Sequence, residues 1–255
     1  MLSQNKIKYL RSLELKKNRI KENKIVLDGK RLIDESINQN VEIEHIWINN
    51  LLELKEHNNP FINKIKNNGI HFSYENEKNL NKISNTKNSQ GIIALISIDK
   101  FYNENLEKFD DKVIILDQIS DPGNLGTIVR TCAWFGVKSI ILSKNSADIF
   151  NYKCVRASVG GHFFIKNLAY LSYKDINNFI SSNNLITFRS DLEGEKIDNK
   201  NIHNNWALIL GSEAHGVSNK LNFDKKITIP KKGQMESLNV SISAGILLNE
   251  LINKS

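Results

Sequence analysis

An uninterrupted apolar run, KVIILD at Lys112–Asp117, decides which class of fold this chain can adopt. Parallel strands that are buried on both faces have this composition. The tetrapeptide DPGN at residues 121–124 follows with strong turn chemistry, then a helix that Gly136 ends, and then a second strand at residues 139–142. Strand, turn, helix and strand form a βαβ unit, so we predict an α/β domain with a mostly parallel sheet.

Ligands of such sheets bind beyond the carboxyl ends of the strands. This rule places Asn124 at the edge of a candidate site, with Arg130 about two helical turns further along. Taken alone, the pair is better explained as a helix cap and a surface charge. A later strand at residues 206–210 ends in a turn that carries Gly211 and Glu213. Gly211 would let a ligand approach the backbone closely, and Glu213 is either an ordinary acid of the turn or a site residue.

The stretch at residues 230–245, PKKGQMESLNVSISAG, joins a predicted strand at residues 227–229 to a C-terminal helix. We expect Ser237 to cap that helix, because its hydroxyl can accept a hydrogen bond from an unpaired amide. A loop of exposed backbone groups that leads into a helix N-terminus can also hold a polar cofactor. On this stretch alone, an ordinary strand, turn and capped helix is an equally good interpretation.

Composition bounds the class of protein. A length of 255 residues suits one large or two ordinary domains, and an apolar fraction of 40% excludes a chain that is disordered by composition. There is no run of about 18 apolar residues and no apolar signal region near the N-terminus, so we expect a cytoplasmic protein without a membrane partner. Cys132 and Cys154 are isolated, which favours buried free thiols over a disulfide or a metal site.

The net charge of +7 is concentrated at one end of the chain. Residues 1–31 carry ten Lys or Arg and three Asp or Glu, which accounts for the whole excess. Such a basic segment indicates a polyanion partner, although a solvated helix surface would have the same composition. The candidates for contacts with a nucleic-acid backbone are Lys16, Lys17, Arg19, Lys30 and Arg31.

The N-terminal third is predicted to be a small α/β domain. A polar, acidic segment at residues 96–111 acts as the linker, so we divide the chain into residues 1–105 and 106–255. Apolar periodicity predicts helices at residues 3–19, 32–37, 51–56 and 61–66, and strands at residues 24–27, 43–48, 70–72 and 91–96.

Three of these stretches together resemble the motifs of one family. DPGNLGTIVRT, LILGSEAHGV and IPKKGQMESLNVSISAG, in this order, are similar to the three motifs of the SpoU/TrmH family of RNA ribose 2′-O-methyltransferases, in the SPOUT class. YKCVRASVGG resembles the family's Lys-x-x-Arg-Ala-Ser-x-Gly run. The N-terminal sequences QNKIKYLRSLELKKNR and VLDGKRLI resemble, more weakly, the family's L30e-like substrate-binding domain, with Asp28-Gly29 where members usually have Glu-Gly.

The resemblance implies a C-terminal trefoil-knot domain, a homodimer whose active sites are completed across the interface, and S-adenosylmethionine (AdoMet) as methyl donor without a metal. Its cofactor contacts would be made largely through the backbone of Gly211, Ile229 and Leu238. The implied catalytic residues are Arg130, Asn124, Glu213, Ser237 and Asn239, and Arg156 joins the RNA contacts. Arg130 would clamp the target phosphate and ribose, and neither His162 nor His215 is expected to be required.

The resemblance also bears on the substrate. The basic N-terminal domain favours ribosomal RNA, most simply 23S-type RNA of the large subunit. A 2′-hydroxyl acceptor means RNA and not DNA. A tRNA ribose methyltransferase, an antibiotic-resistance rRNA methyltransferase and a non-catalytic ribosome-assembly factor remain as alternatives.

Overall fold

The computed structural model describes residues 2–52, 59–86, 89–102, 109–197 and 205–253. The chain forms two compact units, Met1–Lys100 with Phe150–Tyr152, and Phe101–Ile149 with Lys153–Ser255. The predicted division between residues 105 and 106 lies outside the described residues and stays a prediction. None of the described helices has the length and apolar character that a bilayer crossing requires.

The first unit is built on a four-stranded sheet. Its strand order is β1-β4-β2-β3, in which β4 runs antiparallel to β1 and β2, while β2 and β3 are parallel. Apolar residues of α1, α5 and the strands form one core under this sheet. The elements are α1 (Gln4–Ser12), α2 (Lys16–Glu22), β1 (Lys24–Asp28), α3 (Lys30–Asn38), β2 (Ile43–Asn49), α4 (Asn59–Asn67), β3 (Phe72–Glu75), α5 (Glu77–Ile83) and β4 (Ile92–Ser97).

The N-terminal helix predicted over residues 3–19 is two helices in the structure. Arg19 explains the break: it is 5% exposed, and its Nη1 donates to the carbonyl oxygens of Leu13 (2.7 Å) and Glu14 (2.6 Å). Carbonyls at the end of a helix lack intrahelical partners, so a buried guanidinium that satisfies them stabilises the turn after α1. The proposal of Arg19 as an RNA contact is therefore corrected, because the side chain is buried and its Nη1 donates to the protein's own backbone.

The other elements of this unit differ from the predictions in detail. The predicted strand at residues 70–72 begins at Phe72 and extends to Glu75. Helix α5 was not predicted, although Asn76 is an N-cap whose side chain accepts from the amide of Asn79 at 2.9 Å. Of the helix predicted at residues 51–56, only the start is described, as a 3₁₀ turn at Asn50–Leu52, and the rest lies outside the described residues.

The second unit contains a six-stranded sheet in which every paired strand is parallel. The strand order is β10-β8-β9-β5-β6-β7, which confirms the predicted α/β class. The elements are β5 (Lys112–Asp117), α6 (Pro122–Trp134), β6 (Ser139–Ser143), α7 (Tyr152–Ser158), β7 (Asn167–Leu171), α8 (Tyr173–Ser182), β8 (Ile186–Glu195), β9 (Trp206–Gly211), β10 (Lys225–Ile227) and α9 (Val240–Asn253).

Burial on both faces of this sheet explains the continuous apolar run at β5. Val113 and Ile115 pack with residues of α8 in one cluster, whereas Ile114 and Leu116 alternate to the opposite face and are also fully buried. Helix α6 lies against α9 and against the 3₁₀ turn Gly161–Phe164. Because the strands are parallel, their carboxyl ends lie at one edge of the sheet.

Helix α6 begins earlier than its sequence suggests. Asp121 is its N-cap and accepts from the amide of Asn124 at 2.7 Å, and Pro122 is the first helical residue. The residues that were interpreted as a turn are thus the first turn of the helix, which brings Asn124 into α6 itself. Gly136, with φ of 72°, follows the last turn, as predicted.

The two cysteines are free and buried, which confirms the prediction made for them. Burial raises the pKa of the Cys132 thiol to about 12. The backbone near Cys154 is also tightly packed: a Cβ at Gly126 of α6 would lie 2.3 Å from the carbonyl oxygen of Cys154. These thiols belong to the interior of the second unit.

Candidate active site

A cavity of about 640 Å³ opens beyond the carboxyl ends of β9 and β10. Four segments line most of it, at residues 189–193, 210–217, 228–233 and 235–238. Its size lies within the range of about 300–1,000 Å³ that is usual for small-molecule sites. The cavity therefore lies at the edge of the sheet where a parallel α/β fold binds its ligands.

Beside this cavity, Glu213 connects three segments that are far apart in sequence. Its Oε1 accepts from Asn124 Nδ2 (3.0 Å), Asn239 Nδ2 (2.9 Å) and the amide of Val240 (3.4 Å). Asn239 Nδ2 also donates to Asn124 Oδ1 at 2.9 Å, which closes a ring of three side chains. We call Asn124, Glu213 and Asn239 the amide–carboxylate cluster. It fixes α6, the turn after β9 and the start of α9 to one another.

The structure brings together most of the residues that the sequence proposed for the site. Gly211, Ile229 and Leu238, the candidate cofactor contacts, all line the cavity, as do Glu213 and Ser237. Asn124 and Asn239 are bonded to Glu213, as described above. Five of these candidates thus line the cavity and two adjoin it through Glu213, while the functional roles of all seven stay predictions.

Arg130 does not line this cavity. It is exposed on α6 and lies six positions after Asn124, so the two side chains leave the helix roughly 120° apart. Among the described residues, none forms a hydrogen bond or ion pair with its guanidinium. The structure of one chain therefore assembles the candidate site without Arg130.

The C-terminal helix is capped by a different residue from the one predicted. Helix α9 begins at Val240, and Asn239 Oδ1 accepts from the amide (3.0 Å) and the hydroxyl (2.6 Å) of Ser241. Ser237 is exposed in the preceding loop. Asn239 is favoured because its amide group can cap the helix through Oδ1 and still donate to Glu213 through Nδ2.

The strand predicted before this loop is also displaced. The structure has β10 at Lys225–Ile227, and Ile229 lies in the loop that lines the cavity. A Cβ at Gly194 of β8 would lie 2.5 Å from the carbonyl carbon of Ile227, so the two backbones approach closely there. The amide of Thr228 still donates to the carbonyl of Glu195 at 2.9 Å, and residues 229–233 lie beyond the strand, where they line the cavity.

The backbone of the chain itself leaves no room for a side chain at Gly211. A Cβ at this position would lie 2.0 Å from the carbonyl carbon and 2.2 Å from the carbonyl oxygen of Gly216. The turn at residues 212–217 folds back onto Gly211, with the amide of Gly216 donating to the Ser212 carbonyl at 2.8 Å. Close approach by the chain's own backbone therefore excludes a side chain here before any ligand is considered.

The two histidines near the motifs have different surroundings. His162 is buried, with Nε2 2.6 Å from the Ile149 carbonyl oxygen and Nδ1 2.5 Å from Ser158 Oγ. Burial lowers its pKa to about 4, and both ring nitrogens are occupied, so His162 is placed to hold structure and not to exchange protons with a ligand. His215 is exposed and lines the cavity. That neither is required stays a prediction.

Sequence reasoning missed the contribution of β8. Arg189 and Asp191 line the cavity, and Asp191 Oδ2 lies 3.3 Å from Arg189 Nε and 3.5 Å from Lys226 Nζ. Burial by itself would raise the pKa of Asp191, but the Glu193 amide and the two cations together lower it below its ordinary value. No motif marked this segment; the only signal was the strand-like run ITFRS at residues 186–190.

The basic candidates for RNA contact are mostly accessible. Lys16, Lys17, Arg31 and Arg156 are exposed, and Lys30 is half-buried with Nζ 5.4 Å from the centre of the Phe61 ring. Within the described ranges, no group of three or more His, Cys, Asp or Glu is placed to hold a metal ion.

The parallel sheet, the cavity at its carboxyl edge and the adjoining cluster define the class: an α/β protein that binds a small polar ligand beyond its strands. The model of the SpoU rRNA Methylase family matches residues 111–249, and the model of the MRM3-like substrate binding domain matches residues 4–94. The first match spans more than half of the chain. The chain belongs to the SpoU rRNA methylase family, and its N-terminal unit is an MRM3-like substrate-binding domain, which confirms the resemblance.

Individual relatives agree with this assignment. The chain is 28% identical over 263 residues to the 23S rRNA (guanosine(2553)-2′-O)-methyltransferase RlmP of Bacillus subtilis, covering 96% of this chain and 95% of RlmP. It is 28% identical over 202 residues to the 23S rRNA (guanosine-2′-O-)-methyltransferase RlmB of Neisseria meningitidis serogroup B, covering 74% and 79%. The crystal structure of an AdoMet-bound rRNA methyltransferase from Sinorhizobium meliloti superposes with a TM-score of 0.82 at 25% identity, covering 98% and 96%.

Proposed function

We propose that this protein transfers a methyl group from AdoMet to the 2′-hydroxyl of a ribose in large-subunit rRNA. The observation that carries the proposal is that Glu213, which lines the cavity, is bonded to both Asn124 of α6 and Asn239 at the start of α9. The similarity to RlmP and RlmB over most of the chain supports rRNA as the substrate class. The substrate-binding domain supports a large, structured RNA over a small molecule.

The cavity fits AdoMet in size and chemistry. Its lining combines apolar side chains such as Ile229 and Leu238 with exposed backbone at Gly211 and residues 228–233, which suits an adenosine held largely by main-chain groups. The carboxylates of Glu213 and Glu236 also line it and complement the positive charge of a sulfonium. When bound, AdoMet supplies an intrinsically activated methyl group, so the protein's task is chiefly to position the reactants.

The acceptor side of the site depends on polar side chains. The 2′-hydroxyl must lose its proton as it attacks. His215 lines the cavity, but its exposed ring has no hydrogen-bond partner among the described residues that would orient it as a base. Ser237 and the amide–carboxylate cluster orient the nucleotide. Arg130, as a cation, clamps the phosphate and ribose of the target and stabilises negative charge that develops on the oxygen. The proton passes to a substrate phosphate, because a protonated guanidinium has no free lone pair to accept it.

We further propose a homodimer in which Arg130 of the partner subunit completes each site. Thr127, Arg130 and Trp134 follow one another at helical spacing along an exposed face of α6. Trp134 is 84% exposed, and on the adjoining α9 Ile242 and Ile246 are 55% and 36% exposed. An exposed apolar surface of this kind on two packed helices favours a protein interface. It carries Arg130, the catalytic candidate that, in the part of the chain that the structure describes, neither lines the cavity nor forms a hydrogen bond with a residue that does.

The dimer has a direct test. Trp134→Glu should convert the protein to a monomer, because it places a charge within an apolar interface, and should reduce methylation by about tenfold or more. Light scattering after size-exclusion chromatography measures the mass, and Leu51→Glu, a change at a residue 59% exposed in the first unit, is the control. A Trp134→Glu protein that remains dimeric, or a monomeric wild type, would contradict the proposed interface.

The basic residues of α2 are expected to contact the RNA backbone. Lys16→Ala with Lys17→Ala should weaken RNA binding and reduce the slope of log affinity against log salt by roughly 0.7–0.9 for each phosphate that is no longer neutralised. The matched control is Lys78→Ala with Lys82→Ala, which removes two exposed lysines from α5 of the same unit. Binding titrations at several salt concentrations give both slopes. A slope for the Lys16→Ala, Lys17→Ala variant that is unchanged from wild type would remove these two residues from the interface.

We also propose that the second unit is threaded as a trefoil knot. After β9 in the middle of the sheet, the chain runs to the edge strand β10 and returns so that α9 packs on both α6 and β9. This crossing over the carboxyl ends of the strands supports the topology that the family resemblance implies. It also explains how loops from separate passes of the chain enclose one cavity.

A ribose-methylation map of total RNA from cells with and without the gene tests the proposed function. We expect one position of the large-subunit rRNA to lose its methyl group, and purified protein with AdoMet to restore it. Loss of a methyl group at a tRNA position would support the methyl-transfer chemistry but contradict rRNA as the substrate. No loss at any position, together with no AdoMet binding by calorimetry, would leave an assembly factor as the better account.

A further inference from the structure

The carboxylate of Asp117 is buried at the centre of the second unit. It ends β5, the strand between β9 and β6, and its residue is 0% exposed. Among the described residues, no lysine, arginine or histidine pairs with it. A buried carboxylate without a cation is tolerated only where hydrogen-bond donors satisfy its oxygens, so the identity of those donors shows what the residue is for.

The two oxygens of Asp117 bind two different elements. Oδ2 accepts from the backbone amide of Ser218 at 2.8 Å, and Oδ1 accepts from the hydroxyl of Tyr173 at 3.0 Å. Gln118 Nε2 in turn donates to the Tyr173 oxygen at 2.6 Å, which orients the phenol. Asp117 thus joins the start of α8 to the chain that leaves β9.

The bond to Ser218 matters because of where Ser218 lies. The turn at residues 212–217, which lines the cavity and carries Glu213, begins after Gly211 and ends at Ser218. Gly211 is the residue of β9 that pairs with Asp117 in the sheet. The backbone of Asp117 therefore fixes the start of the turn, and its side chain fixes the end.

We propose that Asp117 is a positioning residue for the cofactor site: it holds the turn at residues 212–217 in the conformation that binds AdoMet and presents Glu213. It touches neither ligand nor cavity itself, since it is absent from the residues that line the cavity. This inference rests on the proposed function in that AdoMet is the ligand. It predicts an effect on ligand affinity that a residue serving only the core would not have.

Asp117→Asn in the full-length chain is the test. The substitution keeps the size of the side chain but replaces one acceptor oxygen with an NH₂ group, so the side chain can no longer accept from both Ser218 and Tyr173. The bond that remains is made to a neutral amide in place of a carboxylate. Hydrogen bonds to a charged group are worth roughly a tenfold to hundredfold change in an equilibrium. We expect the Kd for AdoMet, measured by calorimetry well below the unfolding temperature, to rise by about tenfold or more, with the effect on methylation appearing mainly in the KM for AdoMet.

Tyr173→Phe is the matched control, because it removes one donor to Asp117 and leaves the Ser218 amide in place. It should lower the unfolding temperature while the Kd for AdoMet stays within about threefold of wild type. If Asp117→Asn lowers the unfolding temperature with an equally unchanged Kd, the residue is structural and the inference is wrong.

A measurement on the wild-type protein covers the case in which Asp117→Asn fails to fold. The amide of Ser218 should exchange its hydrogen slowly, and more slowly once AdoMet is added, because binding and the bond to Asp117 stabilise the same turn. An amide that exchanges as freely as an exposed loop residue, with and without AdoMet, would overturn the inference. A wild type that binds no AdoMet at all would instead count against the proposed function.

Discussion

Arg130→Ala is expected to reduce methylation by about 100-fold or more while the Kd for AdoMet stays within about threefold of wild type. The loss is of the size found when one preorganised donor to a developing oxyanion is removed. AdoMet binding should be spared because Arg130 does not line the cavity. The helix should also be spared, because the backbone at Arg130 is held against the 3₁₀ turn, where a Cβ at Gly161 would lie 2.9 Å from its Cα. Single-turnover kinetics and calorimetry measure the two quantities separately.

Two controls make this result specific. Arg11→Ala removes an exposed arginine of the first unit and should leave single-turnover rates unchanged. Mixing the Arg130→Ala protein with a Glu213→Ala protein, both inactive alone, should restore activity if each site takes its arginine from the other subunit. Turnover within a few-fold of wild type in Arg130→Ala would remove the assigned role, and failure of the mixture to recover would place the arginine within its own chain.

Gly211→Ala is expected to abolish most cofactor binding through a single added carbon. Its Cβ would lie 2.0 Å from the Gly216 carbonyl carbon, which is backbone and cannot rotate away as a flexible side chain could. The turn at residues 212–217 must move, and overpacking of this kind costs roughly 1–3 kcal/mol of folding free energy. Restoring the turn to its binding conformation would then cost a similar free energy when AdoMet binds. Because about 1.4 kcal/mol corresponds to a tenfold change in affinity, the Kd for AdoMet should rise by about tenfold or more.

Gly233→Ala provides the matched control for this change. Gly233 also lines the cavity, but an added Cβ there meets nothing within 4 Å. Calorimetry and thermal unfolding of both variants should show a large effect at Gly211 and little at Gly233. Equal AdoMet affinities for the two variants would mean that the turn is not part of the cofactor site.

The parts of the fold that could be predicted are those whose signals are local. The run at β5 and the glycine at residue 136 specified a strand and a helix end, and both were confirmed. The prediction placed strand β10 two residues too late in the sequence. Lys225 and Lys226 are exposed at the edge of the sheet and give no apolar signal, whereas Ile229 gives an apolar signal but lies in a loop. An edge strand held on one side by β8 needs less apolar character than a central strand.

The arrangement of the site could be predicted only in part. Asn124, Glu213 and Asn239 are separated by 89 and 26 positions, and nothing in the spacing of residues says that one carboxylate oxygen would bind both amides. The family resemblance placed them in one site, but the reason for Gly211 and the burial of Arg19 depend on backbone contacts between segments. Such contacts exist only after the chain has folded, so residue type alone could not reveal them.

Asn239 both caps α9 and donates to Glu213, so the stability of the first turn of α9 affects the stability of the candidate site. Fraying of the first turn of α9 would release Asn239 Nδ2 and the Val240 amide together, and Glu213 would lose two of its three donors at once. Because helix ends open more readily than cores, the proportion of molecules with an intact site is set by this local equilibrium. Occupancy of the cavity and order in the helix are therefore linked: each raises the population of the other.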